Sequence, residues 1–329
     1  MTDLRSLALA ALLALVLPTA HAQAPRLGEG AHRYEWTEGW GRLPDGGELG
    51  NTHGAIIFTR DGRGIFNTDT ERAFCVVGAD GAIARSWGAD FRGNVHGMFL
   101  AEEGGFEFLY FTHTGRHEVA KATPDGLVLW ILGCPMESGL YRSPEEFRPT
   151  SVAVAPNGHL FVADGYGKSV VHEFGADRRW IRVLGTAGAA PGQFRTPHGL
   201  GLDLRGPEPR LVVADRENHR LQTFGLDGAL VSVTEGMLRR PCSVAFHGDD
   251  LVVADLAGRV TILDRENRLV TQLGDNPDSE QRAQNGVPRE DWRPGVFVSP
   301  HGAAWDARGD LYVMDWLRQG RVTRLRRLP

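Results

Sequence analysis

The sequence predicts an all-β chain folded as a six-bladed β-propeller, on three observations. Runs of apolar alternation recur, joined by Asp-Gly or Asn-Gly turns and followed by Asp with polar residues. The recurring unit is roughly 40 to 55 residues long, which accommodates the four short strands of a propeller blade. Histidines open alternate units, with His96, His198 and His301 at intervals of 102 and 103 residues. In a closed ring of six units these side chains lie roughly 120° apart and face one axis.

The units begin near residues 52, 95, 149, 197, 241 and 300. The first runs from Thr52-His53-Gly54 through the turn Asp61-Gly62 to Ser86-Trp87-Gly88. The second runs from Val95-His96 to Trp130-Ile131-Leu132-Gly133. The third starts at Pro149-Thr150, turns at Asn157-Gly158, carries Val162-Ala163-Asp164 and ends at Val183-Leu184-Gly185. The fourth starts at Pro197-His198 and carries Val212-Val213-Ala214-Asp215. The fifth starts at Pro241-Cys242, carries Val253-Ala254-Asp255 and ends at Gln272-Leu273-Gly274. The sixth starts at Pro300-His301 and holds only three strands before Pro329. The segment from Tyr34 to Trp40 supplies its missing outer strand, which closes the ring without a free edge. Strand starts and the residues after Ala-Asp then share one face. The insertion 275–299 crosses that face, and its Trp292 and Phe297 are expected to cover the tunnel mouth.

A chain of 329 residues suits one large domain, and a net charge of −5 leaves no basic stripe for nucleic acid. Arg5, the apolar run Leu7 to Leu17 and Ala20-His21-Ala22 read as a signal peptide over residues 1–22. Cleavage near Ala22 leaves 23–329 as an exported propeller domain, periplasmic or secreted; a retained N-terminal anchor is the alternative. No stretch is long enough for a membrane span. Cys75, Cys134 and Cys242 are odd in number and lack metal-clip spacing, so no disulfide framework is expected, although one bridge stays open. Oligomeric state has no signature in the sequence.

At the first tunnel-lining position the blades present His53, His96, Thr150, His198, Cys242 and His301. One histidine at a strand start is ordinarily structural. Three on alternate blades form the donor set of a zinc site with an open position, so His96, His198 and His301 are read as ligands. His53 breaks the threefold pattern and reads as a group behind the metal or against the substrate. Cys242 reads as a buried inert thiol, with a soft ligand as the alternative. Tyr166 and Arg216 follow the Ala-Asp pairs of blades three and four on the histidine face. Tyr166 is a candidate general base or metal-bound phenolate, and Arg216 offers a planar fork for a carboxylate. A packed blade tyrosine and an arginine paired with a neighbouring Asp are the structural alternatives.

The chain resembles the NHL-repeat propellers and, more specifically, peptidyl-α-hydroxyglycine α-amidating lyase, the second catalytic domain of peptidylglycine α-amidating monooxygenase. The likeness rests on Val162-Ala163-Asp164-Gly165-Tyr166, Pro191-Gly192-Gln193-Phe194, Pro197-His198-Gly199-Leu200 and Val213-Ala214-Asp215-Arg216-Glu217-Asn218, with Arg220 and Gln222. It implies zinc on His96, His198 and His301, a catalytic Tyr166, an active-site Arg216 and a structural calcium lower in the tunnel. Four departures stand beside it. The blade-one arginine of the family is matched by Thr70, with Arg72 as a shifted substitute. Gly302 replaces the aspartate that supplies the calcium carboxylate, which weakens calcium. Gly167, Val212 and Thr223 replace cysteines of the family's two disulfides. His53 has no expected counterpart.

The implied activity converts an N-acyl-α-hydroxyglycine, small or peptidic, into an amide and glyoxylate. Arg216 would clamp the carboxylate, with His53, Arg72 and Trp292 expected against the substrate. A non-catalytic propeller binding a peptide, glycan or protein on the histidine face is the alternative. A calcium-dependent lactonase-type hydrolase is disfavoured, because the tunnel mouth offers histidines where such a site needs oxygen ligands.

Overall fold

Six antiparallel sheets follow one another around a central axis in the computed structural model, which describes residues 23–329. The signal peptide expected over residues 1–22 lies outside the described residues. In the first blade the strands Thr52–Phe58, Gly64–Thr68, Phe74–Val77 and Ile83–Trp87 pair in that order. The inner strands of the next four blades are Val95–Glu103, Ser151–Val154, Pro197–Asp203 and Pro241–His247. Pro300–Trp305 leads the sixth and packs on both Pro241–His247 and Thr52–Phe58, so the inner strands form a closed ring.

The N-terminal strand closes the last blade as the sequence predicts. Tyr34–Thr37 pairs antiparallel with Arg321–Arg327, with Tyr34 opposite Arg327 and Thr37 opposite Arg324. A further short strand, Arg26–Leu27, adds to its outer side. The strand stops three residues before Trp40. Gly39 and Gly41 take φ of 79° and 73° there, which only glycine adopts readily. The turn they form sends Trp40 sideways into the wedge between blades, where its ring lies 4.6 Å from that of Tyr312 and 6.0 Å from that of Phe58.

Middle strands are buried on both faces because a neighbouring blade covers each one. Gly64–Thr68 and Glu118–Ala122 are buried throughout, whereas the outer strand Ile83–Trp87 exposes three of its residues. The core is therefore a set of interblade layers, such as Phe161 and Val171 against Leu200, Leu211 and Val213. Phe297 belongs to such a layer. It is fully buried with its ring 4.8 Å from that of Trp36, so it does not cover the tunnel mouth as expected.

The Asp that recurs at the end of the second strand in blades three to six has a structural explanation. Asp215 accepts from the Arg195 N–H at 2.7 Å and from Arg220 Nε at 2.8 Å. Asp255 accepts from the Arg239 N–H at 2.8 Å, and Asp315 from the Ser299 N–H at 2.7 Å. Each carboxylate thus ties down the chain just before its blade's inner strand. All three are fully buried and satisfied by charge-assisted bonds. These ties fix where each inner strand enters the axis.

The three cysteines are free, which answers the open disulfide question. Among the described residues no helix is long and apolar enough to cross a membrane.

Candidate functional site

Five inner strands break their pairing at the same place. The ladder skips His198 between Pro197 and Gly199, Cys242 between Pro241 and Ser243, and His301 between Pro300 and Gly302. Wider breaks surround His53 and His96. A bulge releases its extra residue from the ladder and re-aims its side chain. Here it delivers four imidazoles and a thiol to the axis. Blade three pairs regularly from Ser151, and its Thr150 hydroxyl donates to the Pro197 carbonyl at 2.8 Å.

The ring centroids of His96, His198 and His301 lie 4.6, 4.8 and 5.0 Å apart. His53 is 4.8 Å from both His96 and His301, so it joins the cluster directly. Each of the three imidazoles is anchored through Nδ1 to a carbonyl of the following blade. The acceptors are Thr150 for His96 at 2.7 Å, Cys242 for His198 at 2.9 Å and Gly54 for His301 at 2.8 Å. A carbonyl can only accept, so Nδ1 carries the proton and Nε2 keeps a lone pair.

The glycine after each histidine admits that carbonyl. A Cβ at Gly97 would lie 2.6 Å from the Thr150 oxygen, and one at Gly199 would lie 2.4 Å from the Cys242 oxygen. At Gly302 the distance to the Gly54 oxygen would be 3.0 Å. The His-Gly pair is thus one device, a ligand and the clearance for the bond that orients it.

Lone pairs outnumber donors at the centre. Nε2 of His198 lies 2.9 Å and Nε2 of His96 lies 3.3 Å from the Tyr166 hydroxyl, which has one proton to give. Nε2 of His301 is buried without a partner. Protonation does not resolve the shortfall. Burial, then the neighbouring imidazoles and Arg216, hold all three histidines well below the ordinary imidazole range. A buried polar atom without a partner is costly. A cation taking nitrogen lone pairs satisfies this donor set, and zinc fits it. Ligand atoms of His53, His96 and His301 all lie within 4.8 Å of one another, as do those of His198, Cys242 and His301.

Arg216 Nη1 donates to the Tyr166 oxygen at 3.2 Å, and its Nε donates to Glu217 at 2.8 Å. Arg240 shares that Glu217 oxygen at 2.6 Å. Burial raises the Tyr166 hydroxyl above the usual phenol range, opposed by the Arg216 guanidinium. Burial likewise pushes the Cys242 thiol up to about 11. A cavity of about 240 Å³ above the cluster is lined by His53, Tyr166, Arg216, Arg240, Trp316 and His301, among others.

Six of the eight expected site residues therefore meet: His53, His96, His198, His301, Tyr166 and Arg216. Arg72 and Trp292 do not line this cavity. Arg72 is exposed in a turn built by the Thr68 and Thr70 hydroxyls. Trp292 lines a separate groove with Trp36, Trp40 and Arg321, because its Nε1–H is held by the Val287 carbonyl at 3.0 Å. From the insertion, Ala283 reaches the cavity instead. Arg240 and Trp316 were not anticipated. Trp316 follows Asp315 as Arg216 follows Asp215, and Leu256 after Asp255 also lines the cavity. The same rule applied to all blades would have found it.

The tunnel below the histidines encloses about 290 Å³ and carries no Asp, Glu, Asn or Gln among its lining residues. Calcium needs six to eight oxygen ligands, so these residues do not fit it.

No family model matches this chain. A probable peptidyl-α-hydroxyglycine α-amidating lyase of Caenorhabditis elegans is 29% identical over 276 residues, which cover 80% of this chain and 72% of that protein. Peptidyl-α-hydroxyglycine α-amidating lyase 1 of Drosophila melanogaster is 34% identical over 44% of this chain and 28% of its own. Peptidylglycine α-amidating monooxygenase of Rattus norvegicus is 33% identical over 52% of this chain, a match that spans 18% of its length. Among solved structures, a gluconolactonase from Xanthomonas campestris superposes with a TM-score of 0.62 over 93% of this chain and 95% of its own, at 14% identity. A streptogramin B lyase superposes with a TM-score of 0.59 over 91% and 99%, at 13% identity. At such identities these two share the propeller fold alone. In sequence, over most of its length, the chain resembles the peptidyl-α-hydroxyglycine α-amidating lyases.

Proposed function

We propose that the chain is an exported, metal-dependent carbon–nitrogen lyase that cleaves an N-acyl-α-hydroxyglycine into an amide and glyoxylate. The observation that carries this reading is a single phenol shared by the lone pairs of His96 and His198, beside the unpartnered lone pair of His301, with the phenol itself in contact with a buried arginine. His96, His198 and His301 would hold zinc. When bound, it supplies Lewis-acid chemistry that acidifies a coordinated hydroxyl.

The chain's own residues supply the rest. Arg216 and Arg240 place two guanidinium groups at the cavity against one carboxylate, Glu217, so an anionic group is favoured there. In the loaded site Tyr166 would stand as the phenolate, favoured by Arg216 Nη1 and the nearby cation, and it accepts the substrate's hydroxyl proton to become the phenol. The O–H electron pair becomes the carbonyl bond of glyoxylate as the C–N bond breaks. Tyr166 then returns the proton to the departing amide nitrogen, which balances the step. His53 and Trp316 also line the cavity, with their rings 5.8 Å apart.

The test is glyoxylate release from an N-acyl-α-hydroxyglycine by zinc-loaded protein. Release that falls in Tyr166→Phe at unchanged metal content supports the reading. A fully loaded wild type that releases none would overturn it and leave the face with a binding role. N-terminal sequencing of exported protein, expected to begin at Gln23, checks the export part of the proposal.

A further inference from the structure

The metal site proposed above uses imidazoles alone, yet a thiol shares their position. Pro241-Cys242-Ser243 carries the same bulge as Pro197-His198-Gly199 and Pro300-His301-Gly302, so Cys242 occupies a histidine's place in the ring. Its sulfur stands within 4.8 Å of ligand atoms of both His198 and His301. Cys242 and His301 are 1% and 2% exposed, and Nε2 of His301 has no partner. His198 is doubly tied to this residue, since its Nδ1–H donates to the Cys242 carbonyl at 2.9 Å. A movement of the sulfur therefore stays coupled to the orientation of the ligand beside it.

We propose that Cys242 ligates the metal as a thiolate, making a His198–Cys242–His301 corner to which His96 adds its imidazole, with the substrate hydroxyl entering as a fifth ligand from the Tyr166 side. This inference rests on the metal reading of the site. Tetrahedral zinc with bonds of about 2.0 to 2.3 Å holds neighbouring ligand atoms roughly 3.3 to 3.6 Å apart, a spacing compatible with this group, whose ligand atoms lie within 4.8 Å of one another. Binding displaces the thiol proton, and the ion and Arg216 offset the new negative charge. The consequence is chemical selectivity. A sulfur donor favours zinc, cobalt and cadmium over magnesium, manganese and calcium, and a thiolate lowers the net charge of the loaded centre. Bridging of two ions through His301 is excluded, because its Nδ1 is committed to Gly54.

The experiment is cobalt(II) loading of the metal-stripped protein, read by absorption spectroscopy and metal analysis. The expected result is near one cobalt per chain with a thiolate-to-cobalt charge-transfer band in the near ultraviolet. That band is lost in Cys242→Ser and retained in Cys75→Ser and Cys134→Ser. Cobalt affinity falls in Cys242→Ser by on the order of 100-fold. Circular dichroism and the melting temperature of the metal-free variant establish that it folds. Cobalt bound without the band, or a band indifferent to Cys242→Ser, overturns the inference while glyoxylate release keeps the lyase reading intact. A Cys242-dependent band without turnover supports the inference and overturns the lyase reading. Absence of bound cobalt overturns both.

Discussion

The phenolic oxygen of Tyr166 stands 2.9 Å from Nε2 of His198, a contact between neighbouring blades that joins the proposed base to the proposed metal ligands. The same oxygen takes the Arg216 guanidinium at 3.2 Å. Tyr166→Phe removes the proton acceptor and leaves the imidazoles in place. Glyoxylate release should fall about 10²- to 10⁴-fold, the usual loss of a general acid–base group. Metal content of the same samples should stay at the wild-type value. A variant that keeps full activity would remove Tyr166 from the chemistry.

Metal removal should destabilise the fold. The unpartnered Nε2 of His301 and the single donor shared by His96 and His198 are left unsatisfied without a cation. An ion that binds only the folded state at a thousand times its Kd adds about 4 kcal/mol. Chelator should lower the melting temperature of wild type, and added zinc should restore it. His301→Ala should show neither response.

Gly199→Ala tests the clearance device. A methyl group there would lie 2.4 Å from the carbonyl that anchors His198, so blade five must move. Overpacking of this kind costs about 1 to 3 kcal/mol. Loss of the anchoring bond should weaken metal binding by on the order of 10- to 100-fold, as displacement of a ligand's supporting partner does. Urea unfolding and metal titration measure the two effects separately. Equal metal affinity in the variant would refute the role assigned to Gly199.

Acid stability should depend on a histidine far from the metal cluster. Trp180 Nε1–H donates to His172 Nδ1 at 3.2 Å, His172 Nε2–H donates to the Tyr141 oxygen at 2.6 Å, and Tyr141 donates to Asp164 at 2.7 Å. A second proton on His172 would face the indole N–H. Burial holds its pKa down to about 4 in the folded state. The unfolded chain binds that proton near pH 6.5, so below that value it is the unfolded state that gains. The contribution, on the order of 3 kcal/mol, is present above about pH 6.5 and is lost as pH falls toward 4. Urea midpoints of wild type should decline across that window, and those of His172→Gln should decline less.

The ring of blades was legible because strand alternation, Asp-Gly turns and a regular period are local properties of a chain. So was the meeting of His96, His198 and His301, since equal spacing in a closed ring places side chains on one axis. The Ala-Asp pairs were visible as motifs, but their task of tying down the entering chain depends on which backbone N–H groups approach them. Tertiary packing alone decided the rest. The sequence placed His53 and Cys242 at the same tunnel-lining position, but only the bulges, which hydropathy does not record, bring their ligand atoms within reach of the other imidazoles. Packing buried Phe297 against Trp36 and turned Trp292 and Arg72 away from the cavity, because long side chains go where hydrogen bonds and interblade gaps accept them. Arg240 is held at the cavity by Glu217 of the preceding blade, a contact that a reading along the chain does not resolve, whereas Trp316 follows Asp315 in a pattern the chain does carry.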